Sequence, residues 1–209
     1  MKISYAILVC NEYKEFSRLV NLLLNTIEAN DEIVVVQDQG NTSIDIINLC
    51  NDCLANNPNR FKVYSNPLNR NFAYQKNFLN SKCTGDYIFN IDSDEYISEY
   101  FPSIIKEFLA NYSDIDLFYL PRINLVNGIT EEYIQRMRWV IDINGYINYP
   151  DYQARLYKNK SEIKWQGKVH ETIVGYKKYS KLPTEAGYDL IHIKDFEKQI
   201  KQNNLYNNI

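Results

Sequence analysis

Histidine, methionine and tryptophan occur only twice each in the 209 residues, and glycine and proline number 7 and 6. So little glycine and proline excludes collagen-like and low-complexity chains, while a 45% share of hydrophobic residues supplies one substantial core. No apolar run approaches the ~20 residues of a membrane span. A single lysine precedes the first apolar stretch and no small-residue cleavage pattern follows it, so the chain is read as cytoplasmic. Positive charge is also scarce. With 23 Lys and Arg against 26 Asp and Glu the net charge is −3, and contact with a polyanion would need a local patch.

The four cysteines include one C-x-x-C, Cys50 and Cys53, but no second pair and no H-x-x-x-H completes a tetrahedral metal set. The pair falls in a helical-looking segment, 44–54, and is expected as buried, reduced thiols. Neither G-x-G-x-x-G nor G-x-x-x-x-G-K-S/T occurs, which excludes the dinucleotide fingerprint and the Walker loop.

What is present is an alternation of periods. Residues 2–10 form a continuous apolar run, the mark of a strand buried on both faces, and 32–36, 61–65 and 86–91 read as further strands. Between and after them, 15–29, 42–56, 72–79 and 98–110 read as helices, with Ser98 as an N-cap. This predicts an α/β sandwich with a mostly parallel sheet. After Asp116 the pattern shortens: 117–125, 152–157, 163–165, 169–174 and 188–193 read as strands, Asn-Gly pairs mark turns, and 194–205 reads as a closing helix. No repeat or linker divides the chain, so one domain over 1–209 is expected, alone or as a small homo-oligomer.

In open parallel sheets, ligands sit beyond the carboxyl ends of the strands. That places Asn11-Glu12, Asp38, the 66–70 segment and Asp92-Ser93-Asp94 around one crevice. In an extended segment Asp92 and Asp94 share a side with Ser93 as spacer, and two such carboxylates take up a proton or a hard divalent ion. The plain alternative is an acidic turn before a helix, with Asp94 or Glu95 solvated; in the metal reading Glu95 is expected to point away and lead into the next helix. His170 beside Glu171 suggests a metal ligand or a base, against a surface strand residue; His192, at a strand end, suits a hydrogen-bonded core position equally well. Arg70, Asn71, Lys76 and Asn77 offer cations and amides along one side of a helix to phosphates or a base, against ordinary solvation.

These pieces, in this order, resemble the inverting glycosyltransferases of family 2, which have the GT-A fold. The likeness is carried by 7–12, 31–42, 69–77 and 85–95. In the second half, Pro-Asp-Tyr-Gln-Ala-Arg-Leu-Tyr at 150–157 and Gly-Lys-Val-His-Glu at 167–171 resemble the branch containing lipopolysaccharide-core glucosyltransferases. The resemblance implies a nucleotide-sugar-binding half, 1–115, and an acceptor and catalytic half, 116–209. Asn11, Glu12 and Asp38 would hold the nucleoside, with Arg70 and Ser93 in the donor set, Lys76 facing the base or diphosphate and Asp92 near the ribose. Asp94 and His170, with His192 close to them, would bind a divalent metal, Mn2+ or Mg2+, at the diphosphate of a UDP-sugar. Inversion needs a base opposite the leaving group, and Glu171 and Asp151 are the candidates.

Two departures stand out: Gln-Asp-Gln-Gly-Asn at 37–41 where many relatives have a Gly-Ser turn, and Lys76-Asn77 where an Arg-Asn pair is common. The acceptor platform is expected over 130–152 plus the closing helix, with Arg136, Arg138, Trp139, Tyr146 and Tyr149 shaping it, the aromatic rings by stacking on sugars or bases. A saccharide, a lipid-linked sugar, a protein side chain and a modified nucleobase all stay open as acceptors. Two rival readings accompany this one: a non-catalytic nucleotide-sugar-binding or assembly module, and a nucleotidyltransferase, which the missing Gly-rich triphosphate loop disfavours.

Overall fold

The structure, a computed structural model, describes residues 1–185, 187–197 and 200. In chain order its elements are β1 (Ile3–Val9), α1 (Tyr13–Thr26), β2 (Glu32–Asp38), α2 (Ile44–Asn56), β3 (Phe61–Asn66), α3 (Phe72–Asn80), β4 (Tyr87–Asp92), β5 (Glu95–Ile97) and α4 (Phe101–Asn111). There follow β6 (Leu117–Leu120), β7 (Arg122–Asn127), α5 (Glu131–Met137), β8 (Gln153–Lys158), β9 (Lys164–Gln166), β10 (Thr172–Val174), β11 (Tyr179–Lys181) and β12 (Leu190–Asp195).

Seven strands make the main sheet in the order β11-β6-β8-β4-β1-β2-β3. β1 lies parallel between β2 and β4, β3 continues the parallel run beyond β2, and β8 is antiparallel to both its neighbours. The result is the mostly parallel α/β architecture that the alternation predicts. Side-chain alternation then divides the core. Ile3, Tyr5, Ile7, Ile33, Val35 and Phe89 pack with α1, α2 and α4, while Ala6, Val34, Val36 and Ile88 pack with α3 and the β9–β10 hairpin. Each fully buried Phe or Ile contributes about 1.5–3 kcal/mol, which makes this two-sided burial the main source of the fold's stability.

Among the described residues the chain passes from the main sheet into a second sheet, β5-β12-β7, three times. After β4 a turn at 93–94 carries it into β5, after β6 Pro121 carries it into β7, and after β11 a longer segment carries it into β12. Proline donates no ladder hydrogen bond, so the single strand expected over 117–125 becomes two strands in two sheets. The segment after Asp94 is also strand, and α4 starts at Phe101 behind Tyr100 rather than at an N-cap on Ser98. α5, capped by the Thr130 hydroxyl, and β11 have no counterpart in the sequence reading. The strand expected over 169–174 shrinks to β10, leaving 167–171 as a loop. Of the expected helix 194–205, residues 194 and 195 belong to β12, and 198, 199 and 201–205 lie outside the described residues.

Among the described residues no helix is long and apolar enough to cross a membrane. Cys50 and Cys53 are buried in α2, and burial pushes the Cys50 thiol up to about 11. Both therefore stay protonated near neutrality, as inert packing groups do.

Candidate active site

A cleft of about 1210 Å³ opens at the carboxyl ends of β1, β2 and β4. Single small-molecule pockets run to roughly 300–1,000 Å³, so this one has room for two substrates side by side. β1 ends in Cys10, Asn11 and Glu12, β2 in Asp38, and β4 in Asp92, and all five residues line the cleft. Asp38 is oriented by two donors, the Leu68 amide at 2.9 Å and the Asn41 side chain at 2.9 Å. Glu12 turns back over the turn that precedes α1, accepting from the Cys10 and Asn11 amides at 3.3 and 3.1 Å. The Ser93 hydroxyl also donates to Glu12, at 3.3 Å, so the spacer of the Asp-Ser-Asp triplet ties two strand ends together.

Asp92 and Asp94 both line the cleft, on the turn that crosses between the sheets. Burial alone would raise the Asp92 carboxyl, but Arg155, Lys76 and Arg122 outweigh it and hold the group well below the usual carboxylate range. Burial acts against Asp94 too, and His192 and Lys194 bring it down to about 2. His192 Nε2 lies 3.4 Å from Asp94, and its Nδ1 lies 3.1 Å from Asn124 Oδ1, across the β12–β7 ladder. Lys194, two residues along the same strand and on the same face, is 3.8 Å from Asp94.

Glu95 does not point away. Its side chain is fully buried and accepts from Arg155 at 2.7 Å, from Arg122 at 3.1 Å and from the Asp92 amide at 3.2 Å. Entering a strand rather than a helix turns it inward. Arg155 also pairs with Asp92, and Arg122 with Asp151, at 2.6 and 3.0 Å. Asn124 and Gln153 each add a bond to Asp151 at 2.8 Å. Burial raises the Asp151 carboxyl less than Arg122 and these amides lower it, so it too sits below its ordinary range.

Across the cleft, Glu171 ends the loop 167–171 between β9 and β10 and pairs with Lys76 at 2.6 Å. In a regular strand His170 and Glu171 would face opposite ways. Gly167 at φ +103° and His170 at φ +54° bend the chain, and both His170 and Glu171 line the cleft. The ammonium of Lys76 lies over the Trp165 ring, 4.2 Å from its centroid, and 3.8 Å from Asp92.

Other candidates lie elsewhere. Arg70 is exposed, in left-handed backbone, and lies outside the cleft lining. Of the acceptor candidates Trp139 lines the cleft, whereas Arg138 caps α5 and is exposed, and Tyr149 donates to Asp189 at 2.9 Å outside the lining. Asn77 faces no ligand; its amide bonds the backbone of Trp165. Among the described residues no three His, Cys, Asp or Glu side chains gather as a complete metal set, so Asp94, His170 and His192 do not form one by themselves. Glu95, Arg122, Arg155 and Lys194 are the site residues that the sequence reading passed over. Arg155 carried a signal, since a charge between Ala154 and Leu156 in an apolar strand demands a buried partner.

The lining holds six carboxylates, on Glu12, Asp38, Asp92, Asp94, Asp151 and Glu171, against four cations, on Lys76, Arg122, Arg155 and Lys194. Every one of the four cations already pairs with a carboxylate. An anionic ligand therefore needs either an added cation or the release of one of these.

The fold has counterparts of known structure. Crystallised S. aureus TarS 1-349 in complex with UDP superposes with a TM-score of 0.64 at 16% identity, covering 91% of this chain and 60% of that one. The same protein with UDP-GlcNAc gives 0.63 at 16% identity, covering 93% and 59%. The chain thus spans about 60% of the length of the TarS fragment. No curated protein matches the chain in sequence. The family model described as glycosyl transferase family 2 matches residues 4–181, which take in the main sheet and most of the cleft lining but not β12, and the chain belongs to that family.

Proposed function

We propose that the chain is a metal-dependent, inverting glycosyltransferase that moves a sugar from a uridine diphosphate donor to a hydroxyl acceptor. A hexose is favoured by the likeness of 150–157 and 167–171 to the lipopolysaccharide-core branch. The observation that carries the reading is one cleft in which the strand-end carboxylates of the first half face Glu171 of the second. TarS, of the same fold, has been crystallised with UDP and with UDP-GlcNAc.

In this reading Asn11, Glu12 and Asp38 receive the nucleoside and Asp92, held by Arg155, receives the ribose. The donor set suits a divalent ion: Asp94 and His192 are neighbouring oxygen and nitrogen donors, His170 lies on the same cleft, and the surplus of carboxylates rejects a bare diphosphate. Diphosphate oxygens would complete the shell, as is usual for Mg2+ and Mn2+ at phosphates. When bound, such an ion supplies positive charge to the leaving nucleoside diphosphate.

Glu171 is the base in this proposal. Asp151 accepts four hydrogen bonds from side chains, three of them at Oδ2 and one at Oδ1, and pairs with Arg122, so it serves as a structural anion. The acceptor oxygen attacks the anomeric carbon, its proton passes to Glu171, and the bond to the phosphate oxygen breaks with its electron pair leaving on UDP. The test is release of UDP from UDP-sugars with manganese. Release that stops with chelator and in Asp94→Ala supports the enzyme, binding without release favours the non-catalytic module, and neither binding nor release across common nucleotide sugars refutes both.

A further inference from the structure

We infer that Lys76 is a positioning residue for Glu171, holding that carboxylate until the diphosphate of the donor draws the ammonium away. The inference rests on the proposed function and adds to it an order of events: the base is set free by donor occupancy.

Because all four cleft cations are paired, an entering diphosphate competes with a carboxylate for any of them. The arginines are poor candidates for exchange. Arg155 and Arg122 share the fully buried Glu95 and each holds a second carboxylate, so removing either leaves a buried anion uncompensated. Lys76 differs in kind. Its ammonium is a compact charge on a flexible stem, and its contact with Glu171 is a single point rather than a fork. Its partner sits on a loop bent at Gly167 and His170, not in a strand.

The position of the ammonium also sets the direction of exchange. It already lies within ion-pair range of Asp92, on the donor side, and rests over Trp165. A shift along the line from Glu171 to Asp92 carries it toward the nucleotide and leaves Glu171 facing the acceptor space. Without the donor, the Lys76 ammonium covers the Glu171 carboxylate and keeps an acceptor hydroxyl or water from it. A fraction of the binding-competent state is thereby withheld, which weakens apparent donor affinity by that fraction.

Calorimetric titration with UDP, at a fixed excess of manganese, tests this. Glu171→Gln removes the competitor for Lys76, so UDP is expected to bind about 3–10-fold more tightly although transfer is lost. Glu171→Asp, which keeps the charge, is expected to return affinity toward wild type. Lys76→Gln is expected to weaken UDP in both backgrounds, and more strongly beside Glu171→Gln. Unchanged or weaker UDP binding by folded Glu171→Gln, with wild type binding normally, overturns the inference and leaves the proposed function standing. Failure of wild type to bind any nucleoside diphosphate refutes the proposed function itself. Should Glu171→Gln not fold, Trp165 carries the same test. In a Trp139→Phe background UDP is expected to change its emission as the ammonium moves, and UDP binding with no such change overturns the inference.

Discussion

Asn77 of α3 and Trp165 of β9 are joined by two hydrogen bonds: the Asn77 amide donates to the Trp165 carbonyl at 2.8 Å, and its carbonyl oxygen accepts from the Trp165 amide at 2.9 Å. A helix side chain thus completes the ladder of a short strand, and the ring beneath Lys76 is held at a fixed height. Asn77→Ala leaves two backbone groups of a part-buried strand unpaired, at about 1–3 kcal/mol each if water does not reach them. A lower urea midpoint and weaker UDP binding are expected together. Loss of neither, measured by denaturation and calorimetry, would count against this pinning role.

Arg155 is buried between Asp92 and Glu95, so breaking the cluster is costly. Arg155→Met should destabilise by about 3–5 kcal/mol, since two carboxylates lose their shared cation. Arg155→Lys is the more informative variant. It keeps the charge but loses the rigid planar group whose Nη2 serves both anions, so the protein should fold while UDP affinity falls about 10-fold, or 1.4 kcal/mol. Equal affinity in wild type and Arg155→Lys would show that Asp92 needs no such support.

The two candidate bases separate in the balance between stability and turnover. Glu171→Gln should cut kcat about 100- to 10,000-fold, the range for loss of a general base. Asp151→Asn should act mainly on stability, because it places amide protons against Arg122 and Asn124. A larger fall in kcat for Asp151→Asn than for Glu171→Gln, with both folded, would reverse the assignment.

Acid stability should depend on Glu32, whose buried carboxylate accepts from Ser4 at 2.7 Å and the Thr84 amide at 2.6 Å and pairs with Lys2 and Lys62 at 2.9 and 2.6 Å. Burial alone would raise its pKa, but Lys62, Ser4, Thr84 and Lys2 bring it down to about 2. An unfolded glutamate titrates near ~4.3, so the folded state holds its proton less tightly and the stabilisation is fully present above that value. It is lost as pH falls from roughly 5 toward 2, and amounts to about 2–3 kcal/mol. Urea midpoints followed over that interval should fall more steeply for wild type than for Glu32→Gln; parallel curves would remove Glu32 from the account.

The alternation of buried runs and amphipathic segments made the first half legible, because period 2 and period 3.6 are local properties of the chain. The positions of Asn11, Glu12, Asp38, Asp92 and Asp94 followed from the strand-end rule alone. Glu95 was misread because its inward turn depends on the chain changing sheets, and nothing within a few residues announces that change. The pairing of Arg155 with Asp92 spans 63 residues and that of Arg122 with Asp151 spans 29, so neither leaves a local periodic trace. Arg138 and Tyr149 belong to the same class of misreading. Their chemistry suits a sugar, but the left-handed end of α5 and the bond to Asp189 aim them elsewhere.

Two of the three crossings from the main sheet into the second, at 93–94 and at Pro121, are tight turns, and the Leu190 amide locks the second by donating to the Pro121 carbonyl at 2.9 Å. The two sheets are therefore tied together at these points and have little freedom to part there. Motion of the Glu171 side of the cleft would fall to the 167–171 loop, on the faster timescale of loops rather than of whole bodies. In the proposed transfer, a step limited by loop motion or product departure should be slowed by viscosity, whereas one limited by chemistry should not.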